Sequence, residues 1–190
     1  MLAINIIAIV WILAMILWFK PVQKSLLAGN TREDKGTGRD YRDAGFIIFA
    51  AVFAVSFLIR IIAGLICKGN ETDMNCFIVW SDMVYNDGIS NFYLSEAFHD
   101  YPPGYMYILY VVGAVKSWFN ISSGSAICLL ITKFPAIIAD MVTGFLVYKI
   151  ASKKTDGICS AILSAAYLFC PVIILDSAVW GQTDAVFVMF

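Results

Sequence analysis

The chain has 190 residues, of which 61% are hydrophobic and 14% charged. Soluble domains have about 45–50% apolar and 25% charged residues, so this composition excludes both a water-soluble globule and a disordered chain. The net charge of −1 excludes an electrostatic nucleic-acid binder, because such a protein needs a basic face. With a mean hydropathy of +0.80, the sequence predicts an all-α, polytopic transmembrane helical bundle.

Four apolar stretches approach the roughly 20 residues that a membrane-spanning helix needs. They are residues 2–19, 44–67, 126–148 and 157–175. The first lacks the basic start of a cleavable signal peptide, so we interpret it as an anchor. A further apolar run begins at residue 185 and stops too early to cross. We therefore expect the chain to be the N-terminal part of a longer protein.

Basic residues predict which loops face the cytoplasm. Residues 20–43 are rich in lysine and arginine, so this loop is expected to be cytoplasmic. Residues 68–103 contain Lys68 as their one basic residue and should face outwards. The acidic residues of this outer loop are Glu71, Asp73, Asp82, Asp87, Glu96 and Asp100.

The apolar stretch 104–119 is shorter than the others. As a helix it would be about 24 Å long, less than the roughly 30 Å of the hydrocarbon core. If it crossed, the basic turn at Lys153 and Lys154 would face outwards, against the positive-inside rule. We therefore predict an interfacial helix here. On this topology the segment around 180–184 also emerges on the outer side.

Asp73 is the first candidate for chemistry, because it directly follows the second apolar stretch. Helical spacing of Phe77, Trp80 and Val84 predicts a helix over residues 74–86. Asp73 could be the N-cap of that helix, a common role for aspartate, or a functional carboxylate. Asp82 is expected to be a solvated carboxylate.

Two further polar segments belong to the same predicted surface. In Asp100-Tyr101-Pro102-Pro103 the prolines suit the start of a helix, but they do not account for the residues beside them. The segment from Asp176 to Asp184 puts carboxylates and amides between two apolar runs. Such groups are costly in lipid and are functional candidates, although a polar turn with an interfacial tryptophan is the alternative.

Lys133 and Asp140 lie inside a predicted span, where each costs about 2.5–3.5 kcal/mol at mid-bilayer. They are about 10 Å apart along one helix face, so each needs a partner of its own or a water-filled cavity. Structural and functional roles are both open for them. The five cysteines form no close pair and there is one histidine, so no metal site is predicted.

These segments, in this order, resemble the GT-C membrane glycosyltransferases, and most closely the polyprenyl-phosphate-sugar-dependent glucosyl- and mannosyltransferases and their bacterial relatives. The resemblance covers residues 44–190, leaving 1–43 as an extra anchor span and basic cytoplasmic loop. The motifs that carry it are Asp73 after a span, Asp100-Tyr101-Pro102-Pro103, Ile138-Ala139-Asp140-Met141, Lys153-Lys154, Asp176, and Trp180-Gly181-Gln182-Thr183-Asp184.

The resemblance implies inverting transfer of a mannose- or glucose-type hexose from a polyprenyl-phosphate donor to an acceptor hydroxyl. The acceptor would be a glycan or a lipid-linked molecule, on the extracytoplasmic face of a bacterial plasma membrane. A phosphate leaving group needs no general acid, so one carboxylate suffices, and the resemblance makes Asp73 that base. No cofactor and no metal are expected. The substrate-binding candidates are Asp100, Tyr101, Lys116, Asp176, Trp180, Gln182 and Asp184.

Two other functions remain open at this stage. In a transporter subunit, Arg60, Lys133 and Asp140 would line a path through the membrane. The sequence lacks the paired, broken helices in two similar halves that are typical of transporters. A non-catalytic membrane protein is the third possibility.

Overall fold

The computed structural model describes residues 37–96, 98 and 100–189. These residues are mostly helical and contain no strand. The predicted anchor span at 2–19, residues 20–36 of the basic loop, and His99 lie outside the described residues. The helices are α1 (Thr37–Ile66), α2 (Glu71–Asp87), α3 (Ile89–Leu94), α4 (Pro103–Trp118), α5 (Ala126–Ala151), α6 (Gly157–Leu168), α7 (Pro171–Ile174), a π-helical turn (Leu175–Trp180) and α8 (Asp184–Met189).

Within the part of the chain that the structure describes, two helices are long and apolar enough to cross a membrane, namely Asp43–Ile66 of α1 and Ala126–Ala151. They correspond to the predicted spans 44–67 and 126–148. Many large apolar side chains of α1 are exposed, as expected of a helix whose partner is lipid. They are Phe46, Ile47, Ile48, Val55, Leu58, Ile59, Ile62 and Ile66. These features support a membrane-associated, all-α protein.

The predicted span 157–175 is not one continuous helix. Helix α6 ends at Leu168, and α7 with the π-helical turn follows at a bend of 48°. The break comes at Pro171, which lacks the N–H of a helix interior and disfavours a helical backbone at the residue before it. Cys170 is accordingly extended (φ −62°, ψ 118°). The bent pair would add a third span if it crosses as one unit.

The chain divides into two compact units. Of the described residues, those in 37–59 and 139–175, with Met189, form the first unit, and those in 60–138 and 176–188 form the second. In the first unit, Phe49 stacks on Tyr148 with ring centroids 4.1 Å apart. Ser164 Oγ donates to Gly144 O (2.7 Å), a close approach of the kind that small residues allow in membrane helices. Asp140 is buried there and accepts from Tyr167 Oη at 3.3 Å.

All the candidate site residues belong to the second unit. There α2 packs against α4, and both helices meet the short helix α3. The predicted apolar face of α2 is confirmed, because Phe77, Trp80 and Val84 are all buried. The helices cross at Gly113, where a Cβ atom would lie 2.2 Å from Ser81 O. This crossing tolerates no side chain, so Gly113 determines how closely α4 approaches α2.

Helix α4 begins at Pro103, the second of the two prolines, with Pro102 as its N-cap. The sequence predicted this start, since proline suits the first turn of a helix. At 16 residues α4 is not one of the helices long enough to cross. Its interfacial location remains a prediction.

Candidate functional site

Helix α2 begins at Glu71, three residues earlier than predicted, and Asn70 is its N-cap. The Asn70 side-chain oxygen accepts from the backbone N–H groups of Thr72 (3.1 Å) and Asp73 (3.2 Å). The N-cap interpretation of Asp73 is therefore wrong. Asp73 lies instead in the first turn, where the helix dipole favours a negative charge. Its carboxylate is left for contacts outside the helix.

The carboxylate of Asp73 meets Gln182, which lies 109 positions away in sequence. Gln182 Nε2 donates to Asp73 Oδ2 at 2.5 Å. Both side chains are half-buried. The contact brings together the first and the third of the polar segments that the sequence singled out.

Gln182 is positioned by the end of the π-helical turn. The N–H groups of Gly181 and Gln182 both donate to Asp176 O, at 3.0 and 2.9 Å. Gly181 has φ +86°, a conformation that glycine adopts without the steric cost of a side chain. A Cβ atom at this position would also lie 2.5 Å from Met74 Sδ on α2. The backbone therefore passes close to the helix that carries Asp73.

A backbone contact joins the same two segments. The N–H of Asn70 donates to Trp180 O at 3.0 Å, just before α2 begins. Gly69 precedes it with φ +84°, and a Cβ atom there would lie 2.7 Å from Trp180 O. Trp180 takes part in this contact through its backbone carbonyl group, and the residue as a whole is 53% exposed.

Tyr101 brings the second polar segment to the same place. Its ring packs edge-on against Phe77, with centroids 5.3 Å apart, and its backbone carbonyl accepts from Tyr93 Oη (2.8 Å). Burial is the largest cause and raises the pKa of the Tyr101 phenol; a hydrogen bond from Thr183 lowers it, and the Asp73, Asp100 and Asp184 carboxylates each raise it by less, so that the net direction is upward. The phenol therefore stays protonated at neutral pH and is able to donate a hydrogen bond.

Cys76 is a member of the site that sequence reasoning missed. It follows Asp73 by three positions, on the next turn of α2. Burial raises the pKa of its thiol, and the charges of Asp100 and Asp73 add to the effect. The spacing Asp73-x-x-Cys76 could have indicated this neighbour, because residues three apart share a helix face. A thiol beside the acidic residues offers a natural probe of the site.

Lys116 lies apart from these residues, in the contact between α2 and α4. Its buried ammonium donates to Ile78 O (3.1 Å), Ser81 Oγ (3.1 Å) and Asp82 Oδ1 (2.7 Å). All three of its N–H groups are thus engaged within the protein, which leaves none for a donor phosphate. The prediction of a freely solvated Asp82 is also corrected, because this side chain, 44% exposed, forms the salt bridge to Lys116.

Lys133 has partners of its own, as its separation from Asp140 required. Its ammonium donates to three backbone carbonyl oxygens, those of Cys67 (2.7 Å), Ala178 (3.3 Å) and Val179 (3.0 Å). Arg60, expected near the outer end of its span, is fully buried in the same unit. Neither Lys116 nor Lys133 therefore extends into solvent.

The second unit thus brings Asp73, Gln182 and Tyr101 together, with Asp100 and Asp184 close enough to act on the phenol. Asp184 is exposed at the start of α8, and Asp176 contributes its backbone carbonyl. Among the described residues, no group of three or more His, Cys, Asp or Glu side chains could hold a metal ion.

The arrangement provides one half-buried carboxylate held by an amide, flanked by a protonated phenol and by acidic side chains. Such a group is able to take a proton from a hydroxyl that comes within hydrogen-bond reach. Comparisons of the chain with family models, with curated proteins and with solved structures find no match.

Proposed function

We propose that the protein is a GT-C-type membrane glycosyltransferase that moves a hexose from a polyprenyl-phosphate donor to an acceptor hydroxyl, on the outer face of the membrane. The observation that carries the proposal is the hydrogen bond between Asp73 and Gln182. It joins two of the motifs on which the family resemblance rests, although 109 positions separate them. The third motif contributes Tyr101 beside them.

In the proposed reaction Asp73 is the general base. Its carboxylate takes the proton from the acceptor hydroxyl while the oxygen attacks the anomeric carbon of the sugar. The bond between that carbon and the phosphate oxygen breaks, and polyprenyl phosphate leaves with the electron pair. Direct displacement inverts the anomeric centre, and the stable phosphate anion needs no general acid, in contrast to glycoside hydrolysis with its two carboxylates.

Gln182 orients the base without competing for the proton. Its amide N–H binds Asp73 Oδ2, which leaves Oδ1 for the incoming hydroxyl. An amide does not titrate near neutral pH, so Gln182 takes no proton from the acceptor. Its hydrogen bond holds the Asp73 carboxylate in one rotamer. Positioning of this kind is a large part of enzymatic rate enhancement, because it converts a bimolecular encounter into a fixed geometry.

The neighbouring groups are suited to binding sugar hydroxyls. The Tyr101 phenol donates, and the Asp100 and Asp184 carboxylates accept. The exposed indole of Trp180 offers an apolar surface to the donor lipid or the acceptor. We do not assign the donor phosphate to Lys116, whose ammonium already has three acceptors.

The test is Asp73→Asn in the full-length protein, reconstituted in lipid and assayed with polyprenyl-phosphate-linked mannose and glucose. Loss of a general base should lower the transfer rate by about 10²–10⁴-fold, with membrane insertion unchanged. Glu71→Gln is the matched control, because Glu71 is an exposed acid in the same helical turn. Full transfer by Asp73→Asn would contradict the assignment of the base.

A transporter in which Lys133 lines a path has less support. A residue on such a path needs donors that face water or cargo, whereas the three donors of this ammonium end on backbone carbonyls.

A further inference from the structure

Lys133 is a buried cation on α5, with 1% of its surface exposed. An ammonium has three N–H groups, and here all three are used by Cys67 O, Ala178 O and Val179 O. A charge in this position is expensive unless its hydrogen bonds are complete. The completeness of the set indicates a built arrangement, in which the lysine and the carbonyls depend on one another.

The three carbonyls lie at the ends of two helices. Cys67 is the first residue after α1, and Ala178 and Val179 lie near the end of the π-helical turn. The last carbonyls of a helix lack intrahelical partners and carry the negative end of its dipole. Two such ends would repel one another and leave acceptors unsatisfied. The Lys133 ammonium satisfies both and draws them to one point.

Both helix ends are followed directly by residues of the site. From Cys67 the chain runs through Gly69 to Asn70, which caps α2 and donates to Trp180 O. From Val179 it runs through Gly181 to Gln182. Residues 70 and 180 lie within three positions of carbonyls that Lys133 binds. The lysine contacts therefore set the distance between residues 70 and 180, and with it the distance between Asp73 and Gln182.

Two glycines make room for this arrangement. Gly69 and Gly181 both have positive φ, and a Cβ atom on either would lie 3.3 Å from Lys133 Cε. Each backbone thus passes against the aliphatic stem of the lysine. The stem, as well as the charge, contributes to the position of the two segments.

We infer that Lys133 is a positioning residue: it binds the segment before α2 and the end of the π-helical turn, and so holds Asp73 in contact with Gln182. Its effect on catalysis rests on the proposed function. Its effect on the geometry does not, because the contact between residues 70 and 180 can be measured without an activity assay.

The test measures that contact by cross-linking. Asn70→Cys and Trp180→Cys are introduced into the otherwise cysteine-free protein in lipid, since the 3.0 Å backbone contact brings the two positions within the span of a disulfide. Lys133→Met keeps the length of the stem and removes the donors. We expect it to lose most of the cross-linked product. Lys116→Met, which removes the other buried ammonium, should retain it.

Gly181→Ala provides a second route to the same geometry without removing the charge. Its Cβ would displace the backbone from Met74 Sδ and from the lysine stem, so cross-linking should again fall. This variant decides the question if Lys133→Met does not yield folded protein. Cross-linking at the level of the parent protein in folded Lys133→Met, or in Gly181→Ala if only that variant folds, would overturn the inference.

Activity separates the positioning role from the proposed function. With native cysteines present, Lys133→Met should lower kcat by about a hundredfold, because misplacement by about 1 Å costs that much, and leave the KM for the donor nearly unchanged. If the substitution only destabilised the protein, the fraction of folded, active molecules would fall instead. Dividing the measured rate by the amount of folded protein corrects for that loss. If the parent protein transfers no sugar, the proposed function fails, while the cross-linking result still decides the role of Lys133.

Discussion

The two buried lysines of the second unit bind different parts of the chain around α2, by different means. Lys116 contacts the middle of α2 through Ile78, Ser81 and the Asp82 carboxylate. Lys133 contacts the chain ahead of α2, and all its acceptors are neutral carbonyls. Both side chains are almost fully buried, with 4% and 1% of their surfaces exposed.

The comparison shows how a buried cation is balanced in a site that already contains several acids. The counter-charge of Lys116 is a carboxylate that is 44% exposed, so water shares in its stabilisation. Lys133 is balanced by helix-end dipoles instead of a carboxylate. The acidic side chains of the site, Asp73 among them, are not needed as its counter-charge and are left available for hydroxyl groups. Its bonds also join segments that are far apart in sequence, whereas those of Lys116 join two packed helices.

The largest effect is expected for Lys133→Met on stability. One buried and two part-buried carbonyls would lose their donor, at about 1 kcal/mol each, so we expect a loss of about 3 kcal/mol in the free energy of unfolding. Denaturation in mixed micelles, followed by tryptophan fluorescence, would measure it. A smaller loss than that of Lys116→Met would contradict the different roles assigned to the two lysines.

An intermediate effect is expected for Asp82→Asn. This change leaves the buried Lys116 ammonium with neutral acceptors, and removing one partner of a buried pair is costlier than removing a surface one. We expect a loss of about 2 kcal/mol, reduced from the value for fully buried pairs because Asp82 is partly exposed. The control is Asp87→Asn, which changes an acidic residue at the end of the same helix and should leave the free energy of unfolding unchanged.

Lys116→Met should cost less than Asp82→Asn, about 1 kcal/mol, because the carboxylate left behind is half-exposed and returns to water. The same unfolding measurement decides the order of the two variants. If the two variants lost the same free energy of unfolding, the deeper burial of the Lys116 ammonium would make no difference to which partner is costlier to remove.

The smallest effect concerns the reactivity of Cys76. Its raised pKa keeps the thiol protonated, and only the thiolate reacts with a maleimide. Asp100→Asn removes one cause of the raised pKa, so the thiolate fraction rises and labelling at about pH 8 becomes faster. Asp73→Asn should act in the same direction but less. Slower labelling in Asp100→Asn would indicate that the carboxylate does not act on this thiol.

Local patterns in the sequence predicted much of the second unit. The spacing of Phe77, Trp80 and Val84 identified α2 and its buried face, because a helix repeats every 3.6 residues whatever surrounds it. The two prolines identified the start of α4 for an equally local reason. The apolar stretches at 44–67 and 126–148 identified the two long helices, since length and hydropathy are sums over neighbouring residues.

The errors arose where one residue type suits several positions. Asn70 and Asp73 are both good N-caps, and the chain uses the one that the turn at Gly69 presents to the helix end. Hydropathy predicts a continuous span through Pro171, because it does not register a missing N–H. No local pattern connects Lys116 with Asp82, because 34 positions separate the two residues that form this salt bridge.

The sequence by itself determined that this is a helical, membrane-associated chain, and it singled out three polar segments. Only the tertiary structure decided which of their side chains meet. The contact of Asp73 with Gln182 and the three carbonyls around Lys133 join positions far apart along the chain. Helical periodicity is a property of neighbouring residues, whereas such contacts depend on how the helices pack and where the backbone turns between them.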